Sequence, residues 1–252
     1  MDKFSLKGKK TIITGGNRSL GLAMTNALCE AGSEVIIFAS SDSVYTVADE
    51  LTGKGYKVWG IKVDLNQKES IAAGFKKAME IFDNKIDILV NNAGIQRRNK
   101  CEEFTLEDWN DVINVNLTSM FILCQLAGRV MIEQGKGKIV NLASLLSYFG
   151  GQTVPAYAAS KGGVAQLTKA LSNEWTLKGI NVNAIAPGYM DTDMNVALVN
   201  NPERNSQILA RIPAGRWGNP EDLTGALIFL ASEASNYVSG AVIPVDGGYL
   251  GK

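Results

Sequence analysis

The feature that most constrains the fold of this chain is a regular alternation of short β-branched runs with longer amphipathic stretches. Short apolar runs predict strands, and apolar residues at helical spacing predict helices. The predicted strands are residues 10–14, 34–39, 56–63, 86–90, 138–142, 181–185 and 241–245. The segments between them predict helices, among them 19–31, 67–82 and 157–175. Several strands lack polar alternation, as expected when both faces of a parallel sheet are covered.

This pattern predicts an α/β fold of the Rossmann type, a doubly wound, seven-stranded parallel sheet with helices on both faces. The chain has 252 residues, and α/β folds of about 200–250 residues often form one unit. No repeat or linker divides it, so we expect one domain over residues 1–252. Residues 187–220 break the rhythm: they hold four of the six prolines and no clear strand. Long irregular segments are usually functional, and we expect a lid on the substrate side.

Composition and charge exclude several classes of function. The 25 basic residues balance the 25 acidic ones, so net charge does not indicate binding to nucleic acid or to an anionic membrane. No apolar run approaches the ~18 residues of a membrane span, and the lysine-rich N-terminus is unlike a signal peptide. We therefore expect a cytoplasmic protein with neither nucleic acid nor membrane as a partner.

The chain contains no histidine and only three cysteines. The absence of histidine excludes Ser-His-Asp and Cys-His catalysis and most zinc sites, so we expect no bound metal. Cys29, Cys101 and Cys124 are widely spaced and include no C-x-x-C pair, which favours buried free thiols. Proton transfer must then depend on tyrosine, lysine or carboxylates.

A glycine-rich turn follows the first predicted strand and leads into the first helix. Its sequence is Thr14-Gly15-Gly16-Asn17-Arg18-Ser19-Leu20-Gly21. Glycines let backbone N–H groups approach a pyrophosphate, and a helix N-terminus attracts the anion. A motif of this kind is often only a turn, but its place after the first strand favours a dinucleotide site.

The end of the second strand usually selects the nucleotide, because an acidic residue there holds the ribose hydroxyls of NAD. Here Ala39-Ser40-Ser41 occupies that place, and the first carboxylate, Asp42, comes one or two positions late. Arg18 and the serines could accept a 2′-phosphate, which slightly favours NADP over NAD. A solvated surface charge is the alternative interpretation of Arg18.

Polar and small residues follow the third and fourth strands. Asp64, followed by Leu65, could bind the adenine amino group or cap the next helix. Small residues after the fourth strand would let an adenosine ribose lie against the backbone, with a simple turn as the alternative. That strand ends in Asn91-Asn92-Ala93-Gly94.

Tyr157 and Lys161 are spaced i, i+4, which places the phenol and the ammonium on one helical face. A free tyrosine has a pKa of ~10, and a nearby cation lowers it. We therefore expect Lys161 to activate Tyr157. Such a pair is common on helix surfaces by chance, but Ser144 after a buried strand and Asn116 on the preceding helical segment favour a catalytic set.

In their order and spacing, these motifs resemble the short-chain dehydrogenase/reductase family over essentially the whole chain. The matching features are Thr14-Gly15 through Gly21, Asp64, Asn91-Asn92-Ala93-Gly94, Asn116, Ser144, Tyr157-x-x-x-Lys161, Pro187-Gly188 and Asp246-Gly247-Gly248. One position departs from the pattern, because the family has glycine where this chain has Ser19. The departure puts the shape of the phosphate turn and the cofactor affinity in question.

The resemblance implies hydride transfer between NAD(P) and an alcohol or ketone. It implies that Ser144 binds the substrate oxygen, that Tyr157 exchanges the hydroxyl proton, and that Lys161 holds the nicotinamide ribose and lowers the pKa of Tyr157. Asn116 would anchor a water that relays protons. The implied cofactor-binding residues are Gly15, Asn17, Arg18, Ser19, Leu20, Gly21, Ser40, Asp64, Leu65, Asn91, Ala93, Gly94, Tyr157, Lys161, Pro187, Gly188, Met190 and Thr192.

Five stretches resemble the sugar-acid dehydrogenases of the family more closely. They are Gly94-Ile95-Gln96-Arg97-Arg98, Ser144-Leu145-Leu146-Ser147, Val154-Pro155-Ala156-Tyr157, Ala186-Pro187-Gly188-Tyr189-Met190 and Arg211-Ile212-Pro213-Ala214-Gly215-Arg216-Trp217-Gly218. The resemblance implies substrates of the 2-dehydro-3-deoxy-D-gluconate or 2-deoxy-D-gluconate type, with gluconate oxidised at C5 as the alternative.

A sugar acid carries a carboxylate, which an arginine fork binds well. Arg97, Arg98, Arg211 and Arg216 flank the expected mouth of the site, although solvated surface charges are the alternative. The candidate substrate residues are Gln96, Arg97, Ser144, Gln152, Tyr157, Tyr189 and Arg216.

Two other functions compete with a sugar-acid dehydrogenase. Reduction of a 3-oxoacyl thioester predicts an apolar acyl slot and a basic docking patch, and the sequence reveals neither. A cofactor-binding regulator would be favoured by the loss of Tyr157 or Lys161, and both are present. The family is commonly tetrameric, with helices around 108–131 and 157–175 packing across a two-fold axis, so a homotetramer is expected. Packing of those helices in the chain's own core is the alternative.

Overall fold

The computed structural model describes residues 2–252, and its strands form one parallel sheet. The strands are β1 (Lys10–Thr14), β2 (Glu34–Ala39), β3 (Val58–Lys62), β4 (Ile88–Asn91), β5 (Gly137–Leu142), β6 (Ile180–Pro187) and β7 (Val242–Val245). Across the described residues the strand order is β3-β2-β1-β4-β5-β6-β7. The chain order reverses between β1 and β4, and ligands bind at such a switch point. The predicted fold class is confirmed.

Helices cover both faces of this sheet. They are α1 (Ser19–Glu30), α2 (Ser43–Gly53), α3 (Lys68–Ile81), α4 (Leu106–Ile113), α5 (Ser119–Gln134), α6 (Pro155–Trp175), α7 (Val196–Val199), α8 (Pro202–Leu209) and α9 (Thr224–Ala231). A π-helical turn, Asn114–Thr118, joins α4 to α5.

The predicted strands lie close to the observed ones, with differences at their ends. The strand predicted at 56–63 is shorter, because Tyr56 still belongs to the turn after α2, where its N–H binds Leu51 O. The strand predicted at 181–185 extends to Pro187, which pairs with Val245 of β7. Residues 187–220 contain α7 and α8 and are therefore more regular than predicted. Pro202 begins α8, where proline fits the first turn.

Alternate residues of each strand supply two separate apolar cores. Ile12 and Ile36 pack with α3, α5 and α6 on one face of the sheet. Their neighbours Ile13 and Ile37 pack with α1, α2 and α9 on the other face. Both side-chain directions are buried, which explains why the strands carry no polar alternation.

The helical stretch Leu106–Gln134 is the one part of residues 2–252 that is long and apolar enough to cross a membrane by length and composition. Its most apolar 18-residue window has a mean hydropathy of 1.5, and 50% of that window is buried inside the protein. Leu123, Ala127 and Met131 point into the core beside the sheet. A core helix of a soluble protein meets the same criteria, so length and composition are weak evidence for a membrane span.

The cysteines are free thiols, but one of them is not buried as predicted. Cys29 and Cys124 are buried, and burial raises the pKa of each to about 12. The prediction is wrong for Cys101, which is exposed because it lies on a surface 3₁₀ turn, Cys101–Glu103.

The contact between α5 and α6 leaves no room for a side chain at Gly128, where a Cβ would lie 2.7 Å from Cη2 of Trp175. We expect Gly128→Ala to lower the free energy of unfolding by about 1–3 kcal/mol, as overpacking does. The exposed Gly225 of α9 has nothing within 4 Å of such a Cβ. Gly225→Ala should therefore be neutral or stabilise by up to about 1 kcal/mol. Denaturant unfolding checks both variants, and equal effects would contradict the packing argument.

Candidate active site

A cleft of about 970 Å³ opens where the strands end. Residues that follow β1 to β6 line it, as expected for a ligand site in a doubly wound sheet. It lies within the roughly 300–1,000 Å³ typical of small-molecule sites. The cleft extends from Ser40 and Asp64 at one end to Ser144 and Tyr157 at the other.

The glycine turn forms the floor of this cleft, and the end of β4 holds it in place. Gly15 has a left-handed backbone with φ +64, and a Cβ on Gly21 would overlap the Gly15 carbonyl oxygen. Asn92 Nδ2 donates to Thr14 O at 2.9 Å and to Gly15 O at 3.1 Å. Thr14 Oγ1 accepts from the N–H groups of Asn92 and Ala93, each at 3.0 Å. The turn thus has the close backbone approach that a pyrophosphate needs, and a nicotinamide dinucleotide fits it.

Ser19 occupies the position at which the family has glycine. Its φ of +47 lies in the left-handed region, which costs an L-residue roughly 1–2 kcal/mol. Ser19 begins α1 and lines the cleft. With serine in place of the family's glycine, α1 still begins at this position, but the backbone of the phosphate turn is strained.

The end of β2 presents hydroxyl groups and no carboxylate to the cleft. Asn17 Nδ2 donates to Ser41 Oγ at 3.2 Å and to Ser43 Oγ at 2.8 Å, which joins the glycine turn to this loop. The first carboxylate after β2 belongs to Asp42, which accepts from Lys62 Nζ at 2.9 Å and is not among the lining residues.

Arg18 and Ser40 also line this end of the cleft. Arg18 is exposed and, within residues 2–252, has no carboxylate at salt-bridge distance. Its charge is therefore available to an anion bound beside the serines.

Asp64 and Leu65 line the cleft after β3, as predicted. Asp64 Oδ1 accepts from the N–H of Asn66 at 2.9 Å. The N-cap of α3 is Gln67, so Asp64 stabilises the preceding turn and does not cap the helix itself.

Asn91, predicted to bind the cofactor, is not among the residues that line the cleft. Its side chain is buried beneath the cleft, where Nδ2 donates to Asn141 Oδ1 at 2.9 Å and to Cys124 Sγ at 3.3 Å. Successive side chains along a strand point in opposite directions. Asn91, the last residue of β4, therefore points into the core, and Asn92 points toward the cleft. Asn92 was not among the predicted cofactor residues, although its amide braces the glycine turn.

Ser144 lies beyond β5 at the N-terminus of a 3₁₀ turn, Leu145–Ser147. Its Oγ accepts from Leu146 N at 3.2 Å. Ser147 Oγ donates to the Lys161 carbonyl oxygen at 2.7 Å and so ties this turn to α6. Ser147 was not predicted as a functional residue, although it ends one of the stretches that resemble the sugar-acid dehydrogenases.

Tyr157 and Lys161 lie on one face of α6, as the i, i+4 spacing predicts. Lys161 is buried, and its Nζ lies 5.6 Å from the centroid of the Tyr157 ring while donating to Leu142 O at 2.5 Å. The ammonium therefore contacts the ring face and the end of β5.

The acid–base balance of this pair differs from the prediction. Burial raises the pKa of Tyr157, and interaction with the Ser144 side chain lowers it by less. Burial lowers the pKa of Lys161 to about 8. The expected lowering of the Tyr157 pKa is not seen, because the effect of burial is larger than that of the Ser144 hydrogen bond. The phenol is protonated at neutral pH.

Asn116 lies in the π-helical turn, a form that often marks functional sites. Its amide makes three hydrogen bonds: Oδ1 accepts from Ile95 N at 2.8 Å, and Nδ2 donates to Ile95 O at 3.0 Å and to Ser160 Oγ at 3.1 Å. Asn116 thus fixes the loop after β4. A Cβ on Gly94 would lie 3.4 Å from Asn116 Oδ1 and 3.8 Å from Lys161 Nζ, so the three residues meet. Both Nδ2 hydrogens are used, but Oδ1 can accept a second hydrogen bond, so the predicted contact with a water stays a prediction.

Residues after β6 close the cleft from the other side. The predicted residues Pro187, Gly188, Met190 and Thr192 all line it. An aromatic contact holds this segment in place, with the rings of Tyr189 and Trp217 5.6 Å apart. Its predicted role as a lid on the substrate side stays a prediction.

The predicted substrate residues do not all line the cleft. Gln96 and Arg97 line the cleft, but Arg97 pairs with Asp111. Tyr189 and Arg216 line a separate cavity of about 250 Å³. Arg216 is held there by Asp222 at 2.7 and 2.9 Å.

Gln152 is exposed and lines neither cavity, because it lies on the surface turn before α6. Arg211, the fourth arginine near the expected mouth, stacks over the ring of Tyr249 at 4.3 Å. Within residues 2–252, no group of three or more metal-ligating side chains could hold a metal ion.

Comparisons with known proteins agree with this geometry. Residues 15–250 match a family described as enoyl-(acyl carrier protein) reductase. The chain is 48% identical to a 2-dehydro-3-deoxy-D-gluconate 5-dehydrogenase of Bacillus subtilis, over 100% of this chain and 98% of that protein.

Two solved structures have the same fold. One is a candidate 2-deoxy-D-gluconate 3-dehydrogenase of Agrobacterium tumefaciens with bound NADP, at 45% identity and a TM-score of 0.91 over 100% of both chains. The other is a gluconate 5-dehydrogenase of Burkholderia cenocepacia in complex with NADP and tartrate, at 39% identity and a TM-score of 0.96, over 100% of this chain and 98% of that one. Similarity of this extent confirms the resemblance read from the motifs, and the chain belongs to the short-chain dehydrogenase/reductase family.

Proposed function

We propose that this protein is an NAD(P)-dependent dehydrogenase that interconverts a secondary alcohol and a ketone on a sugar acid. The observation that carries the proposal is one cleft with the glycine turn at one end and Ser144, Tyr157 and Lys161 at the other. The names of its relatives, which include dehydrogenases of 2-dehydro-3-deoxy-D-gluconate and gluconate, support this substrate class. Tartrate, found with NADP in the Burkholderia structure, is also a small hydroxy acid.

When bound, the nicotinamide supplies or accepts the hydride, and the chain's own residues place the substrate and move one proton. Ser144 would donate a hydrogen bond to the substrate oxygen. Tyr157 would give its proton to that oxygen in reduction and take it back in oxidation. Lys161, fixed by Leu142 O, would bind the nicotinamide ribose and hold positive charge beside the phenol. Asn116 would keep the loop after β4 in place through Ile95.

The protonated Tyr157 suits ketone reduction at neutral pH, since the phenol is ready to act as the acid. Oxidation requires the phenolate and is favoured by alkaline pH. Positioned acid–base groups of this kind contribute typically ~10²–10⁴-fold to the rate.

We propose NADP as the preferred nucleotide. Arg18, Ser40 and Ser41 line the end of the cleft where a 2′-phosphate would lie, and Asp42 is occupied by Lys62. A carboxylate that would repel the phosphate is therefore turned away. The neighbouring structures with NADP support this preference.

Reduction of a 3-oxoacyl thioester is the second candidate, and the description of the matching family also names an acyl-carrier substrate, although an enoyl one. The substrate end of the cleft is lined by Gln96, Arg97 and Arg98, which suit a polar substrate better than an acyl chain. The alternative of a cofactor-binding regulator without catalytic activity has no support from this site, where Ser144, Tyr157 and Lys161 converge.

We propose further that residues 1–252 form a single domain and that the protein is a cytoplasmic homotetramer. The exposed side chains of Trp109 and Phe121 on α4 and α5 support an assembly through these helices. Their apolar surface would be covered by a second copy around a two-fold axis.

Replacing Tyr157 by phenylalanine tests the proposed chemistry. Tyr157→Phe should lower kcat by about 10²–10⁴-fold or more, because the proton donor is lost. It should not change the Kd for NADP. Steady-state assays with 2-dehydro-3-deoxy-D-gluconate, 2-deoxy-D-gluconate and D-gluconate, and a fluorescence titration with NADP, measure the two quantities. Tyr148→Phe is the matched control, since Tyr148 lies outside the cleft; turnover of Tyr157→Phe near the wild-type rate would contradict the mechanism.

The pH dependence should differ between the two directions. Because the pKa of Tyr157 is raised, kcat/KM for alcohol oxidation should increase steadily from about pH 6 to about pH 9, whereas kcat/KM for ketone reduction should stay level near neutrality. Assays of both directions in one buffer series check this. If kcat/KM for oxidation instead decreases over this range, deprotonation of Tyr157 does not limit the oxidation.

Arg18→Ala tests the preference for NADP. The variant should weaken NADP binding by about tenfold and leave NAD binding nearly unchanged, since a hydrogen bond to a charged group is lost only with the 2′-phosphate. Lys178→Ala, which removes the same charge on the 3₁₀ turn Thr176–Lys178, is the control. Tighter binding of NAD than of NADP by the wild-type protein would refute the assignment.

A further inference from the structure

The loop at residues 94–100, after β4, presents two adjacent arginines to the cleft. Arg97 and Arg98 are both exposed and carry the same charge. Their surroundings differ, and this difference identifies which of them can bind a substrate.

Arg97 is anchored to α4. Its Nη2 donates to Asp111 Oδ2, and its Nε lies 3.5 Å from Asp108 Oδ1. Asp111 Oδ1 also accepts from Asn66 Nδ2 at 2.8 Å. Two carboxylates thus neutralise the Arg97 guanidinium, and a substrate anion beside it would meet both of them.

Arg98 is turned to a different partner. Its Nη2 and Nε lie 2.9 and 3.1 Å from the side-chain oxygen of Gln96, with that amide oriented to accept from them. Within residues 2–252, no carboxylate lies at salt-bridge distance from Arg98. The bond to Gln96 orients one edge of the guanidinium and leaves the Nη1–Nη2 edge for a bidentate acceptor.

The two ends of the loop place Arg98 at the substrate side. At one end, Gly94 lies beside Lys161 and Asn116. At the other, the N–H of Asn99 donates to Thr153 O at 3.0 Å, just before α6 and Tyr157. Arg98 is therefore held between the proton-transfer residues and the turn that precedes them.

We propose that Arg98 binds the carboxylate of the sugar acid, while Arg97, fixed by Asp111, positions the loop that presents it. This inference rests on the proposed function and names the contact that would select an acid over a neutral sugar. Arg211 and Arg216 are excluded because Tyr249 and Asp222 hold them away from the cleft.

The test compares 2-deoxy-D-gluconate with the neutral 2-deoxy-D-glucitol, in which a hydroxymethyl group replaces the carboxylate. In Arg98→Leu, KM for the acid should rise about tenfold to hundredfold, as for the loss of a charged hydrogen bond. Turnover of the neutral alcohol and the Kd for NADP should not change. Arg98→Lys should restore only part of the affinity, because an ammonium cannot form the bidentate contact.

Arg97→Leu is the matched comparison, since it removes the same charge one residue away. Loosening the loop should weaken binding of the acid and of the neutral alcohol to the same extent. The ratio of their kcat/KM values should therefore stay at the wild-type value. A ratio that falls in Arg97→Leu and not in Arg98→Leu would overturn the proposal.

Titration calorimetry with Tyr157→Phe and NADP separates this proposal from the proposed function. Binding of 2-deoxy-D-gluconate that is lost on adding Arg98→Leu supports the carboxylate contact. Binding that persists unchanged in the double variant overturns that contact alone. If the wild-type protein neither binds nor turns over any sugar acid, the proposed function fails and the carboxylate contact with it.

Discussion

Burial of both faces of the parallel sheet is the constraint on which the rest of this structure depends. Ile12 and Ile13 point in opposite directions, and each enters a separate apolar core. A sheet that is apolar on both faces has no room for polar chemistry within its strands. The polar groups that line the cleft lie where the strands end.

The same constraint explains how far the sequence predicts the structure. Apolar runs without alternation identified the sheet, and the residues after each run identified most of the cleft. The direction of individual side chains at strand ends was harder to predict, because one position decides between core and cleft. Asn91 and Asn92 are identical in type and adjacent in sequence, yet one lies beneath the cleft and the other braces the glycine turn.

Ion pairs that depend on the path of a loop could not be predicted from the sequence. The pairing of Arg97 with Asp111, and of Arg216 with Asp222, depends on how loops lie against helices. The protonation of Tyr157 had the same difficulty. The i, i+4 spacing places Lys161 near the ring, but burial of the phenol decides the direction of the pKa shift.

The glycine turn has unequal tolerance to mutation along its length. A side chain at Gly21 would overlap the backbone of Gly15, so no neighbouring substitution can make room for it. Ser19 meets only a conformational penalty, which stability gained anywhere else in the chain can offset. Glycine can therefore be replaced at position 19 but not at position 21. A glycine pattern that requires both positions would overlook chains that keep the turn while losing one of its glycines.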